Sequence, residues 1–217
     1  GGLGVPAAWT LAAAGARRLR LVDADVVEVS NLHRQVLYHE ADVGQPKAAV
    51  LADRLKARWP HLEVEVRAVR LEDARTLPEL LRDCGAVFEG TDDALCKFAV
   101  NDGAVALGLT AAITAAIGRT GQWFVRTPAS SCYRCLFEVP PPLETLSSCA
   151  VGGVLGPLTG QTGAWAARAL VLALQGHANA PVGVLQRLTP RGLHGLPVAI
   201  AADCPCQVAR ATYHGEP

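Results

Sequence analysis

Gly1-Gly2-Leu3-Gly4 runs directly into an apolar helical pattern from Val5 to Ala16, and the short run Leu19-Arg20-Leu21-Val22 then closes on Asp23. Glycines ahead of a helix let backbone N–H groups and the helix N-terminus approach an anion without side-chain hindrance. An acidic residue ending the next strand, about 20 residues on, stands where nucleotide-binding sheets bond ribose hydroxyls. Gly2 and Asp23 are therefore candidate nucleotide contacts. The pair suits ATP and NAD equally, and Asp23 as a simple turn cap is the alternative.

Working outward, the same alternation continues. A helix is expected from near Pro46, a favoured first-turn residue, carrying Val50, Leu51, Leu55 and Trp59 at helical spacing as far as Pro60. Val64, Val66 and Val69 suggest a strand, Leu77 to Arg82 a short helix, and Ala86-Val87-Phe88 a strand ending at Gly90-Thr91-Asp92. Leu95 to Leu107 reads as helix and Gly121 to Arg126 as strand. Alternating helices and strands predict an α/β fold: a doubly wound, Rossmann-like, mostly parallel sheet with helices on both faces. Thr127 to Gly160, rich in Pro, Gly, Ser and Cys, is expected to be a long crossover with little regular structure. A helix from Gln161 to Leu174 and short strands running into Cys204-Pro205-Cys206 complete one domain, 1–217. Because the chain opens on glycine and contains no methionine, a preceding segment with at least one strand is expected ahead of it.

Composition excludes several classes of partner. Lysine plus arginine equals aspartate plus glutamate at 20 each, so no overall field draws the chain to nucleic acid or an anionic membrane. The most apolar stretch, Ala164 to Leu174, is too short for a membrane span and is interrupted by Arg168. No basic leader precedes a short apolar run, so the cytoplasm is the expected location. Seven cysteines without a secretory signal favour metal or catalytic chemistry over disulfides.

The segment Asp23-Ala24-Asp25-Val26-Val27-Glu28-Val29-Ser30-Asn31-Leu32-His33-Arg34-Gln35, followed by Val43-Gly44-Gln45-Pro46-Lys47, has no use in a plain dehydrogenase. It resembles the segment that ThiF/MoeB/HesA adenylyltransferases, which are E1-like enzymes, carry after their second strand. There, Asp-x-Asp leads to Ser-Asn-Leu-x-Arg-Gln and then to Gly-x-Pro-Lys. Adenylation is attack by a carboxylate on the α-phosphate of ATP with loss of pyrophosphate, so the site must neutralise triphosphate charge. Arg34 offers a planar fork, Lys47 a point charge at a helix start, and Asn31 a neutral donor. By the resemblance, Asp23 holds the ribose with Asp25 beside it, and Asn31, Arg34 and Lys47 contact the phosphates with Gln35 nearby. The alternative is that Arg34 and Lys47 are ordinary surface charges. Asp92 matches the family's Thr-Asp, whose aspartate coordinates magnesium; as an alternative it caps the following helix. The family pattern continues with Asn, Arg and Asn, where this chain has Asp93, Lys97 and Asn101.

Cys132-Tyr133-Arg134-Cys135 and Cys204-Pro205-Cys206 form two close pairs, and four thiolates from two knuckles make a tetrahedral zinc site. The family carries such a site in the same two places, although its second knuckle is Cys-Pro-x-Cys, one residue longer. Either all four cysteines ligate, or Cys206 alone serves from the tighter knuckle. Cys149 falls in a loop resembling one whose cysteine, in some family members, bonds the carrier; a structural or incidental role is the alternative. Cys84 and Cys96 are expected to be small buried hydrophobes on helical segments.

The resemblance implies an enzyme that uses MgATP to adenylate the C-terminal Gly-Gly carboxylate of a small ubiquitin-like sulfur-carrier protein. A homodimer and a sulfur-donor protein are implied as further partners. The competing readings are a catalytically silent scaffold that binds a ubiquitin-like partner, an NAD-dependent oxidoreductase, and a cyclising ligase of the same family acting on tRNA.

Overall fold

The glycine turn delivers the chain into α1 (Gly4–Ala13), which buries Val5, Ala7, Ala8 and Ala12. Gly15, at φ 92°, then reverses the chain into β1 (Arg18–Val22). A computed structural model describes residues 1–71, 76–142 and 153–207. Two 3₁₀ turns, Val29–Asn31 and Glu40–Asp42, precede α2 (Lys47–Arg58), whose preceding Pro46 is extended and which buries Val50, Leu51 and Leu55. β2 (Glu63–Arg67) pairs in parallel with β1, from Arg18 opposite Glu63 to Val22 opposite Arg67. Val5, Ala8, Ala12, Val50, Leu51 and Leu55 form one core with Leu19, Leu21 and Val64 packed against it.

The second part comprises α3 (Leu77–Leu80), β3 (Ala86–Glu89), α4 (Ala94–Ala106), β4 (Thr110–Ile117), β5 (Thr120–Arg126), α5 (Tyr133–Leu136), α6 (Gly156–Leu174), β6 (Val184–Thr189) and β7 (Gly192–Pro197). Its five strands lie in the order β3-β4-β5-β6-β7, parallel between β3 and β4 and antiparallel from there on. The sheet is therefore mixed, and connection length decides which part is which. A helix can carry the chain back to a parallel partner, whereas the tight turn at Gly118, φ 55°, reverses β4 directly into β5.

Helices cover both faces. Ala112, Trp123 and Val125 pack on Ala166, Ala169 and Leu170 of α6, while their strand neighbours Ile113 and Phe124 turn to Phe98 of α4 and Tyr133 of α5. α6 also lies close against α1, because a side chain at Gly163 would collide with the Leu3 carbonyl and Pro6. β4, Thr-Ala-Ala-Ile-Thr-Ala-Ala-Ile, was not among the strands expected; its alanines carry helical propensity, and only burial on both faces makes them a strand. α6 begins five residues ahead of the expected Gln161, at Gly156, so the crossover is shorter than expected and holds the short α5. Cys84 lies not in a helix but in the turn between α3 and β3, where it meets the Arg20 guanidinium.

β1 and β3 share no backbone ladder. Side chains cross between them instead: Arg18 donates to the Asp83 carbonyl at 2.6 Å, and Arg20 to those of Leu80 and Arg82 at 2.7 and 2.8 Å. Among the described residues, no helix is long and apolar enough to cross a membrane.

Candidate functional site

A backbone clasp explains how residues far apart in the motif meet. Lys47 N donates to the Asp25 carbonyl, Val27 N to that of Gln45 and Gly44 N to that of Val27, each at 2.8–2.9 Å. The clasp sets the Lys47 side chain beside Asp25, with Nζ 3.0 Å from Oδ2. Arg70, just beyond β2, reaches the other oxygen of the same carboxylate at 2.7 Å. The hydrogen bond from Lys47, with the charge of Arg70 behind it, holds Asp25 below the ordinary carboxylate value. Lys47 is 6% exposed, so it is not the surface charge that the alternative reading allowed. Asp23 turns the chain at the end of β1, its Oδ1 accepting the Asp25 N–H at 2.9 Å.

The 3₁₀ turn Val29–Asn31 presents the other half of the motif. Asn31 Oδ1 accepts from Gln35 Nε2 at 3.0 Å and from Arg34 Nη2 at 3.1 Å, so one amide orients both side chains. Gln35 is 2% exposed, and its Oε1 has no hydrogen-bond partner among the described residues. A side chain at Gly2 would press on Thr159 and on Cγ of Arg34, so the glycine is what lets both approach the turn.

Asp92 stands exposed beyond the end of β3, and what lies beneath it is buried. Glu89, 2% exposed, accepts on one oxygen from Thr91 N and Oγ1, at 2.7 and 2.5 Å, and on the other from Lys97 Nζ at 2.9 Å. Lys97 also donates to the Thr91 carbonyl at 2.6 Å, and Thr114 Oγ1 to that of Glu89 at 2.8 Å. The loop bearing Asp92 is thus tied at three points. Asp93, not Asp92, caps α4 by accepting the Leu95 N–H at 2.8 Å, which leaves the Asp92 carboxylate uncommitted to the helix. Gly2, Asp23, Asp25, Arg34, Lys47 and Asp92 all line one cavity of about 1450 Å³ that runs on between β1 and β3. Arg70 and Glu89 escaped the sequence reading of this site, and Lys97 was noted there only as standing where the family pattern has Arg. An acid at the end of a buried strand with a lysine eight residues on was the signal available for Glu89.

At the far end of the sheet the two cysteine pairs converge. Cys132 and Cys204 lie 3.4 Å apart, Cys135 and Cys206 3.6 Å, and Cys132 and Cys135 3.9 Å. All four sulfurs fall within 4.8 Å of one another. Tetrahedral zinc with Zn–S bonds of about 2.3 Å needs sulfurs roughly 3.8 Å apart, so the donor set fits a four-thiolate ion. The shortened second knuckle brings both of its cysteines to the cluster. Burial raises the Cys204 thiol to about 11 and Cys206 further, whereas N–H groups of Cys132 and Ala201 outweigh burial at Cys135 and hold it below its ordinary value. Cys149 lies outside the described residues.

Known proteins place this arrangement. The chain is 44% identical over 181 residues to the sulfur carrier protein adenylyltransferase of Thermus thermophilus, covering 80% of this chain and 66% of that protein. It is 38% identical over 165 residues to the adenylyltransferase and sulfurtransferase UBA4 of Saccharomyces cerevisiae, covering 75% of this chain and 37% of that one. The chain therefore spans just under two thirds of the first relative and little more than a third of the second. Escherichia coli MccB solved with ATP shares the fold, with a TM-score of 0.84 at 20% identity over 95% of this chain and 64% of MccB. The profile of the ThiF family matches residues 1–206, and the chain belongs to that family.

Proposed function

We propose that this chain adenylates the C-terminal Gly-Gly carboxylate of a small ubiquitin-like sulfur-carrier protein. A carboxylate oxygen of the tail attacks the α-phosphorus of ATP, the bond from that phosphorus to the β-phosphate bridging oxygen breaks, and pyrophosphate leaves. The product is an acyl-adenylate, ready for a sulfur nucleophile supplied by a donor protein. The observation that carries this reading is the convergence of Arg34, Lys47 and Asp92 on one cavity with the glycine turn and Asp23.

Each residue then has a task. Asp23 bonds the ribose, and the glycine turn at Gly2 brings backbone N–H groups to the phosphates. Arg34, oriented by Asn31 with Gln35 behind it, grips phosphate oxygens with two N–H groups. Lys47 adds a point charge and, when phosphate arrives, exchanges part of its bond to Asp25 for it. Asp92 supplies the hard oxygen ligand for the magnesium that enters with ATP. Neutralising the charge that builds on the leaving pyrophosphate is the main catalytic demand. Cys132, Cys135, Cys204 and Cys206 would hold a zinc ion, which supplies no step here and staples the chain after β5 to the C-terminal segment.

Residues 1–217 are read as one adenylation unit working in the cytoplasm. Among the described residues, β1 pairs only with β2 and β3 only with β4. The working form is read as a homodimer, as the family resemblance implies.

The test is ATP–pyrophosphate exchange with and without a small carrier ending in Gly-Gly. Carrier-dependent exchange is the expected result. Nucleotide binding without exchange for any carrier would replace the reading with a silent scaffold, and exchange driven by a carrier-free carboxylate would point to a ligase for another acid.

A further inference from the structure

Arg126, the last residue of β5, is 2% exposed. A cation so deeply buried is costly unless a negative charge lies close to it. Its Nη1 donates to the carbonyls of Ala104 and Leu109 at 3.0 and 2.8 Å, and Nη2 to that of Thr127 at 2.7 Å. Nε is buried with no hydrogen-bond partner among the described residues. Three carbonyls supply dipoles and no net charge, and among the ion pairs of the described residues none includes Arg126.

The cysteine cluster lies on the far side of the helix end that Arg126 holds. Burial lowers the basicity of Arg126, and the groups acting against this are Cys132, Cys206 and Cys135. The geometry agrees, since Val105, next to the Ala104 carbonyl that Arg126 holds, packs directly on the cysteine cluster. Arg134 makes a useful contrast: it lies between the first two cysteines, but it is partly exposed and already satisfied by Asp102, at 2.7 and 2.8 Å. A divalent ion held by four thiolates carries two net negative charges in a site walled off from water. Loading the ion would place near Arg126 the net negative charge that its three carbonyl partners do not supply.

We propose that Arg126 is the counter-charge of the metal-loaded cysteine cluster, a buried positioning residue whose charge sets how tightly the ion is held. The inference rests on the reading of the four cysteines as a metal site. It predicts that charge at position 126, rather than the three carbonyl contacts, governs metal affinity.

Two variants of the full chain separate these roles. Arg126→Gln keeps N–H donors for the carbonyls and removes the charge; Arg126→Lys keeps the charge and loses the fork. Zinc affinity is measured by competition with a chromophoric chelator, alongside the melting temperature of loaded and metal-free protein. Loss of an outer partner of a metal site typically costs 10–100-fold in affinity, so the Gln variant should bind zinc about 10–100-fold more weakly and the Lys variant within a few-fold of the parent. The Gln substitution should also narrow the gap in melting temperature between loaded and metal-free protein. Parent-like zinc affinity in the Gln variant, or an equal loss in both, would overturn the inference and leave the metal site standing. A parent protein that takes up no zinc with its four thiols reduced would instead remove the metal reading, and this inference with it. If the Gln variant does not fold, the Lys variant decides: near-parent affinity supports the counter-charge, and a loss of tenfold or more refutes it.

Discussion

The edge of the cavity around Asp92 and the corner built by the cysteines are made from opposite materials. At the first, Asp92 is exposed, while Glu89 and Lys97, which hold its loop, are buried. At the second, Cys132 and Cys206 are each 1% exposed, and so is the charge behind them, Arg126 at 2%. On the proposed reading, a site that admits and releases a nucleotide keeps the Asp92 carboxylate within reach of solvent over a rigid base. A site that keeps an ion closes over it. The difference teaches that burial separates the two tasks here: mutations at the cavity edge should change activity and spare the fold, and changes at the corner should do the reverse.

The largest effect is expected for Asp92→Ala. Removing one preorganised electrostatic partner of a developing charge costs about 10²–10³ in rate, so pyrophosphate exchange should fall at least 100-fold with the melting temperature unchanged. A matching fall in stability would break the contrast. One layer down, Lys97→Met strands a buried carboxylate at Glu89 and should cost about 3–5 kcal/mol in urea denaturation, whereas Lys97→Arg, which keeps the charge, should cost far less. Stability of the Met variant equal to that of the Arg variant would show that the pair does not hold the loop. Stripping metal from the cysteines should lower the melting temperature by roughly 5 °C, equivalent to about 2 kcal/mol for a chain of this size, while titration with an ATP analogue stays unchanged. Weakened nucleotide binding would mean that the two regions are coupled.

The smallest effect concerns pH. Because Lys47 and Arg70 depress Asp25 below its ordinary 3.8, the stability it contributes is fully present above that value and is lost as pH falls through the lower folded one. Asp25 is 46% exposed, so the contribution is screened and small. A carbon-detected titration of the Asp25 carboxylate checks this, and a midpoint at or above 3.8 would show that the Lys47 contact does not form in solution.

Much of the cradle was legible because its chemistry lies in one stretch. Asp23, Asp25, Asn31, Arg34, Gln35 and Lys47 fall within 25 residues, where residue types and order together outweigh the usual fate of surface charges. The two cysteine pairs were legible by spacing, and the family resemblance raised the question of whether a knuckle one residue short would serve. Other partners were not. Arg70 meets Asp25 across 45 residues, and Thr114 Oγ1 donates to the Glu89 carbonyl across 25. No local pattern marks such pairs, because what joins them is the pairing of strands far apart in sequence.

What the amino-acid sequence determined by itself is therefore the alternation of helices and strands, the placing of a charged motif after the first strand, and the two pairs of sulfur donors. These depend on side-chain period and residue type, which are local. Tertiary structure alone decided that alanine-rich Thr110–Ile117 is a central strand and that Arg126 is buried. Each of these outcomes turns on solvent exclusion, which exists only once distant segments have packed together.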